Sequence, residues 1–172
     1  MVQELQEAAF SQDPAASSLA IRILTGIDSF ESREILRTVF WDRERDEQRA
    51  ITQSLSHVPD ASSSVFFLQV LNAHEDGTII KNGLHFLGRT MGDAEASDTV
   101  LSFLEHPFDD VKEKSLEACI ALDTEAVRQR FRSMLDSEDP VQRFMAVYGL
   151  GQLKDHESMP GIRRALHDEA PD

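Results

Sequence analysis

Cysteine is nearly absent. The 172 residues contain one, Cys119, so no disulfide can form within the chain. That usage fits a reducing compartment, and a cytoplasmic protein is the expectation. No apolar run approaches the roughly 20 residues that a membrane-crossing helix needs. The N-terminus, Met1-Val2-Gln3-Glu4, lacks the basic and then apolar character of a secretion signal. Basic charge is scarce as well: 17 Lys and Arg stand against 31 Asp and Glu, a formal charge of −14. Such a surface disfavours phosphate backbones and anionic lipid, so neither nucleic acid nor membrane is the expected partner.

Motifs for chemistry are also missing. Gly88 and Gly92 sit near a predicted helix end, where close packing or termination accounts for them better than a phosphate loop. His74 and His156 have no second histidine four residues on, and one cysteine makes no thiolate zinc site. The serines at 62–64 lie in no nucleophile elbow. Cys119 falls on an apolar helix face and reads as a buried, inert thiol. The sequence therefore gives no catalytic residue, cofactor or metal ligand.

What is present is a helical pattern that repeats. Its clearest copy runs from Asp139 to His167. Asp139 is placed to cap a helix, and Pro140 follows at the first helical position, where a missing N–H costs nothing. Val147, Leu150 and Leu153 share a face. Ala146 and Gly149 are small enough for another helix to come close. The chain turns at Lys154-Asp155, and a second helix carries Met159, Ile162 and Leu166. One such antiparallel pair cannot bury its own apolar faces.

Stepping back from Ala146-Val147 gives Ser115-Leu116, Gly83-Leu84, Ala50-Ile51 and Ala20-Ile21, at spacings of 31, 32, 33 and 30. Each is a small residue followed by an aliphatic one. The predicted helices are 2–10 alone, then 14–25 with 28–40, 43–56 with 60–74, 77–91 with 95–106, 108–122 with 124–136, and the final pair. Breaks fall at Pro59-Asp60, Gly92-Asp93 and His106-Pro107, and Trp41 packs in a turn. The run Ser64 to Leu71 is strand-like in composition, but its place in the repeat makes it helix. Pro171 lies 31 residues after Pro140, where a sixth repeat would begin. An uncapped solenoid end of that kind calls for further repeats, a partner or self-association. The expected fold is all-α: a single domain over 1–172, a right-handed α-solenoid of about five antiparallel helix pairs, with repeats near 13–41, 43–75, 76–106, 108–136 and 139–168.

The stretch from Asp139 resembles a HEAT repeat, particularly the short bacterial type also seen in bilin-lyase-like proteins. The first helix of that family reads roughly Asp-Pro-x-Val-Arg-x-x-Ala-x-x-Ala-Leu-Gly. Asp139, Pro140, Arg143, Ala146, Leu150 and Gly151 match it. Gln142 replaces an apolar residue and Gly149 an alanine. The resemblance implies a framework role for Arg143, tying loops of adjacent repeats. Di-iron hydroxylases of this repeat class carry His-Glu pairs just before the small residue. Here those positions hold Leu19, Arg49, Lys81-Asn82, Glu113-Lys114 and Phe144-Met145, while His74-Glu75 and His156-Glu157 fall in turns.

The second helices of HEAT solenoids line the concave face. With Phe131 and Leu135 turned inward, Arg128 and Arg132 share an outward face at i, i+4. The same register gives the column Leu68, Leu101, Arg132, Arg163. Arginine and exposed apolar groups are typical anchors for a protein ligand, and an acidic peptide would set its carboxylates on Arg128, Arg132 and Arg163. The plain alternative is that Glu125, Asp136 and neighbouring acids pair with these arginines, and that the leucines pack between repeats. The function expected from the sequence is a noncatalytic scaffold or adaptor binding a protein on its concave face. The alternative is a maturation factor or lyase-like subunit acting with a partner protein.

Overall fold

The computed structural model describes residues 2–58, 60–90 and 94–166. Among them the regular structure is helical: α1 Val2–Ala9, α2 Pro14–Leu24, α3 Phe30–Val39, α4 Arg45–Ser56, α5 Ser64–Ala73, α6 Gly77–Leu87, α7 Ala94–Ser102, α8 Asp109–Leu122, α9 Glu125–Met134, α10 Pro140–Gln152 and α11 Met159–Leu166. Short 3₁₀ turns precede or follow several of them. The fold class is an α-solenoid of antiparallel helix pairs. The chain forms two compact units, Met1–Phe86 and Leu87–Asp172. The strand-like run from Ser64 is α5.

In the first unit, Asp13 caps α2 by accepting from the N–H groups of Ala15 (3.0 Å) and Ala16 (3.5 Å), with Pro14 at the first position. Ile21, Leu24, Ile35, Leu36 and Val39 are all buried, as their spacing predicts. Buried polar side chains bridge the turns. The Ser17 hydroxyl donates to the Ala9 carbonyl at 2.9 Å, Ser32 to Leu24 at 2.7 Å, and the Gln48 amide to Phe40 at 3.1 Å. Trp41 lies in the 3₁₀ turn after α3, edge-on to Phe40 at 4.9 Å. Val65 is exposed, although apolar; Phe66, Phe67, Leu68, Val70 and Leu71 fill the core from α5.

Ala50 is exposed, whereas Ile51 and Thr52 are buried. The second pair therefore enters the repeat one residue later than the small-then-aliphatic rule suggests. The buried column is Ala20, Ile51, Gly83, Ser115 and Ala146, and its spacings even out to 31, 32, 32 and 31. A bulky isoleucine in place of a small residue hid the register.

In the second unit, Val111, Leu116, Cys119 and Leu122 of α8 pack with Val127, Phe131 and Met134 of α9 and with Met145, Ala146 and Leu150 of α10. Asp139 caps α10 by accepting from the Val141 N–H at 2.8 Å, and Pro140 opens that helix. Pro107 stands two residues before α8, whose N-cap position is Phe108. Gly149 and Gly161 allow close approach: a β-carbon on either would meet Phe131 or Leu135 within 3 Å. The turn after α10 places Lys154 in the left-handed region, φ 52°. Val147 is only half-buried, and Val141, Phe144 and Tyr148 of the same helix are exposed. The predicted break at Gly92-Asp93, Pro59, the side chain of Leu166 and everything from His167 to Pro171 and Asp172 lie outside the described residues.

Candidate functional site

Two of the arginines singled out from the sequence, Arg128 and Arg132, sit on α9. Thr124 caps that helix, its hydroxyl accepting from the Val127 N–H at 3.4 Å. Val127, Phe131 and Met134 turn into the core. That leaves Arg128 and Arg132, four residues apart, on another face, and both reach across to Asp155 at the turn between α10 and α11. Arg132 grips it with two donors, Nε to Oδ2 at 2.8 Å and Nη2 to Oδ1 at 2.5 Å. Arg128 adds Nη1 to Oδ1 at 3.5 Å. Paired N–H groups on one carboxylate make a directional, charge-assisted contact. Outer acids complete the network. Arg128 meets Asp123 at 2.5 Å, and Arg132 meets Glu157 at 3.1 Å and Glu125 at 3.4 Å.

Asp155 is 6 % exposed. The Arg132 fork holds its carboxyl down at about 2, against the opposing effect of burial and with help from Ser158 and Arg128. The same contact raises Arg132 above its ordinary value. Around Asp155 the backbone is pinned too. Its N–H donates to the Leu150 carbonyl at 3.0 Å, and its own carbonyl accepts from the Ser158 hydroxyl at 2.8 Å.

An equivalent clamp exists in the first unit. Arg33 and Arg37 of α3 converge on Asp60, through Nε–Oδ2 at 3.1 Å and Nη1–Oδ2 at 3.2 Å. Each of its residues lies 95 positions before its counterpart: Arg33 and Arg128, Arg37 and Arg132, Asp60 and Asp155, Ser63 and Ser158. Burial opposes ionisation of Asp60, but the Ser62 hydroxyl and N–H, with Arg37 and Arg33, bring it to about 2. A related contact joins first helices. Arg49 and Arg45 of α4 hold Asp76 at 2.7 and 3.5 Å, and the Arg49 hydrogen bond brings that carboxyl to about 2. Asp76 also accepts from the N–H groups of Thr78 and Ile79, at 3.1 and 3.2 Å, where α6 begins. In each case an arginine pair on one helix holds an aspartate at the start of a helical segment in the next repeat.

Of the candidate residues, then, Arg128 and Arg132 are brought together on Asp155. Arg163, on α11, is exposed and has no ion-pair partner among the described residues. Leu101 is half-buried, and Leu68, in the first unit, is 7 % exposed. Glu125 does pair with Arg132, but Asp136 pairs with Arg164, at 3.3 Å. Arg143 donates to the backbone carbonyls of Ser137 and Glu138, at 2.8 and 2.9 Å, and so ties the loop before α10.

The histidines and the thiol are placed by packing. His74 accepts from the Asp76 N–H through Nδ1 (3.3 Å), which puts the proton on Nε2, facing the Gln48 Oε1 at 3.1 Å. Burial, then Arg45, lowers its pKa. His156 is exposed in its turn. Among the described residues no three His, Cys, Asp or Glu side chains cluster as a metal site. No described helix is long and apolar enough to cross a membrane.

Residues 97–172 match the family model described as HEAT repeats. The match covers 76 of the 172 residues. The α8–α9 and α10–α11 pairs, with Asp155 and its arginines, lie inside it. Among solved structures, the fold is similar to a designed armadillo repeat protein in complex with the peptide (KR)4. The TM-score is 0.64 at 11 % identity, over 95 % of this chain and 87 % of that one. At that identity the likeness speaks for the fold. No curated protein matches the sequence. Spacing along α9 does not point to Asp155, which stands in a turn apart in sequence; only the stacking of one pair on the next delivers it to Arg128 and Arg132.

Proposed function

We propose that this chain is a noncatalytic protein-interaction scaffold, with a ligand segment lying along the second-helix layer formed by α9 and α11. The observation that carries the reading is the division of labour among three arginines. Arg128 and Arg132 are committed to Asp155, while Arg163 stands exposed on the neighbouring helix of the same layer. In this reading the clamped pair shapes the surface and Arg163 supplies the cation that reaches a ligand carboxylate. Repeat solenoids present such extended layers to peptides, and the designed armadillo protein of similar fold is itself in complex with a peptide. Fold alone does not assign function, so the reading stands or falls on the surface.

The experiment is affinity capture from native extract with the wild-type chain and with Arg163→Glu. Arg163 holds no buried acid, so the variant tests recognition without loosening the fold. A protein retained by the wild type and lost by Arg163→Glu is the expected result. Equal retention by both removes Arg163 from the site, and capture of nothing by either overturns the scaffold reading.

A further inference from the structure

A second surface lies on the first helices of the matched segment, away from α9 and α11. Val141, Phe144 and Tyr148 project from α10 at i, i+3 and i+7 and are 49, 68 and 47 % exposed. The rings of Phe144 and Tyr148 lie nearly parallel, 19° apart in plane with centroids 6.3 Å apart. Soluble chains seldom spend three large apolar groups on one exposed helix stripe without use for it. Beside this stripe, α8 carries Asp109, Glu113 and Glu117 at i, i+4 and i+8. All three are exposed. Between the two ridges runs a groove of about 490 Å³, floored by Leu116 and Met145. Lys112 answers Asp109 at 3.0 Å, and Lys114 is paired with Glu117. Glu113, at the middle of the ridge, has no ion-pair partner among the described residues.

We propose that this groove docks a cationic amphipathic helix: a segment of a partner protein with an apolar stripe flanked by Lys or Arg. The apolar stripe would sit on Phe144, Tyr148 and Val141, and a basic residue would face Glu113. Length agrees with such an occupant. Seven residues of α10 span roughly 10 Å, about two turns of a docked helix. Charge complementarity decides the sign. The ridge is lined by exposed carboxylates and the unanswered group on it is one of them, which repels an acidic segment from this groove and favours a basic one. Aromatic side chains supply contact area at little entropic cost, and the Phe144–Tyr148 pair is already stacked.

The probe is a displayed library of helical peptides with one apolar face and flanks randomised among Lys, Arg, Glu, Asp, Ser and Gln. It is selected on the full chain and counter-selected on Phe144→Ser/Tyr148→Ser. Expected clones carry net positive flanks, and their affinity in anisotropy titrations falls about tenfold or more on both the double-serine variant and Glu113→Lys. Circular dichroism of the variants, whose changed residues are all exposed, checks that they fold. Arg163→Glu leaves the binding unchanged, which separates this groove from the α9–α11 surface. Acidic clones, no enriched clones, or clones indifferent to Phe144 and Tyr148 overturn the proposal. So does a wild-type dimer in sedimentation that Phe144→Ser abolishes, because a second copy would then be the occupant.

Discussion

The ring of Phe131 rests on the bare backbone of Gly149. A β-carbon at position 149 would stand 2.5 Å from Cε2 and 2.8 Å from Cδ2 of that ring, closer than carbon atoms approach. Phe131 is fully buried, so the clash is relieved only by moving α9 away from α10. Gly149→Ala gains helix propensity, about 1 kcal/mol, but overpacking costs about 1–3 kcal/mol. Gly149→Ala is therefore expected to be destabilising. Gly151, two residues along the same helix, has nothing within 4 Å of its would-be β-carbon, and Gly151→Ala is expected to stabilise by about 0.5–1 kcal/mol. Urea unfolding of the two variants checks the contrast. Effects of equal sign would show that α9 does not press on α10 as described.

The clamp on Asp155 predicts strong coupling. Arg132→Ala leaves a nearly buried carboxylate with Arg128 alone, and Asp155→Ala leaves two arginines without their shared acid. Asp155→Ala is expected to cost about 1–3 kcal/mol, the range for losing a buried hydrogen-bonding partner, and Arg132→Ala is expected to destabilise in the same direction. The double variant is expected to cost less than the sum, with a coupling of about 1–2 kcal/mol. Additive single effects would mean that the contact contributes nothing to folding. Asp60→Ala, at the equivalent place in the first unit, is expected to behave like Asp155→Ala.

Acid should undo the same contacts. Asp60, Asp76 and Asp155 each titrate at about 2 in the folded chain, below the ordinary 3.8. A carboxylate with a lowered folded pKa stabilises fully above its unfolded value and loses that contribution as pH falls toward its folded value. Stability is therefore expected to be flat near neutrality and to fall from about pH 4 down to about pH 2. Asp155→Asn should flatten that acid limb, a difference that urea midpoints measured across the range will detect. An acid limb unchanged in the variant would argue against the clamp.

The helices were legible from their period, and some also carry a start signal. Asp13-Pro14 and Asp139-Pro140 announce α2 and α10, and the caps form as written. The core of the first pair follows the helical period: Ile21, Leu24, Ile35, Leu36 and Val39 are buried. Where the reading slipped, tertiary packing had overridden local pattern. Ile51 occupies a column otherwise filled by small residues, and Val65 is apolar yet exposed. The candidate site was half-legible. Spacing placed Arg128 and Arg132 on one face, but not their acid, because Asp155 belongs to the next repeat. The Phe144–Tyr148 stripe was hidden for a related reason: α10 is apolar on two sides, and periodicity alone does not say which side the core takes.

Cys119 gives the last prediction. Its thiol lies on the inner face of α8, fully buried, and burial pushes it up to about 12 against a weak opposing hydrogen bond from Ser115. Thiolate is the reactive form, so a covered thiol that stays protonated at pH 8 should ignore a disulfide reagent. The reaction with Ellman's reagent is expected to be slow in native buffer and to accelerate through the urea unfolding transition. Its rate then reports opening of α8 against α9 and α10. Gly149→Ala, which strains the α9–α10 contact, should speed it without denaturant, whereas Gly151→Ala should not. Rapid labelling of the wild type would show that the core beneath α8 opens far more readily than its packing implies.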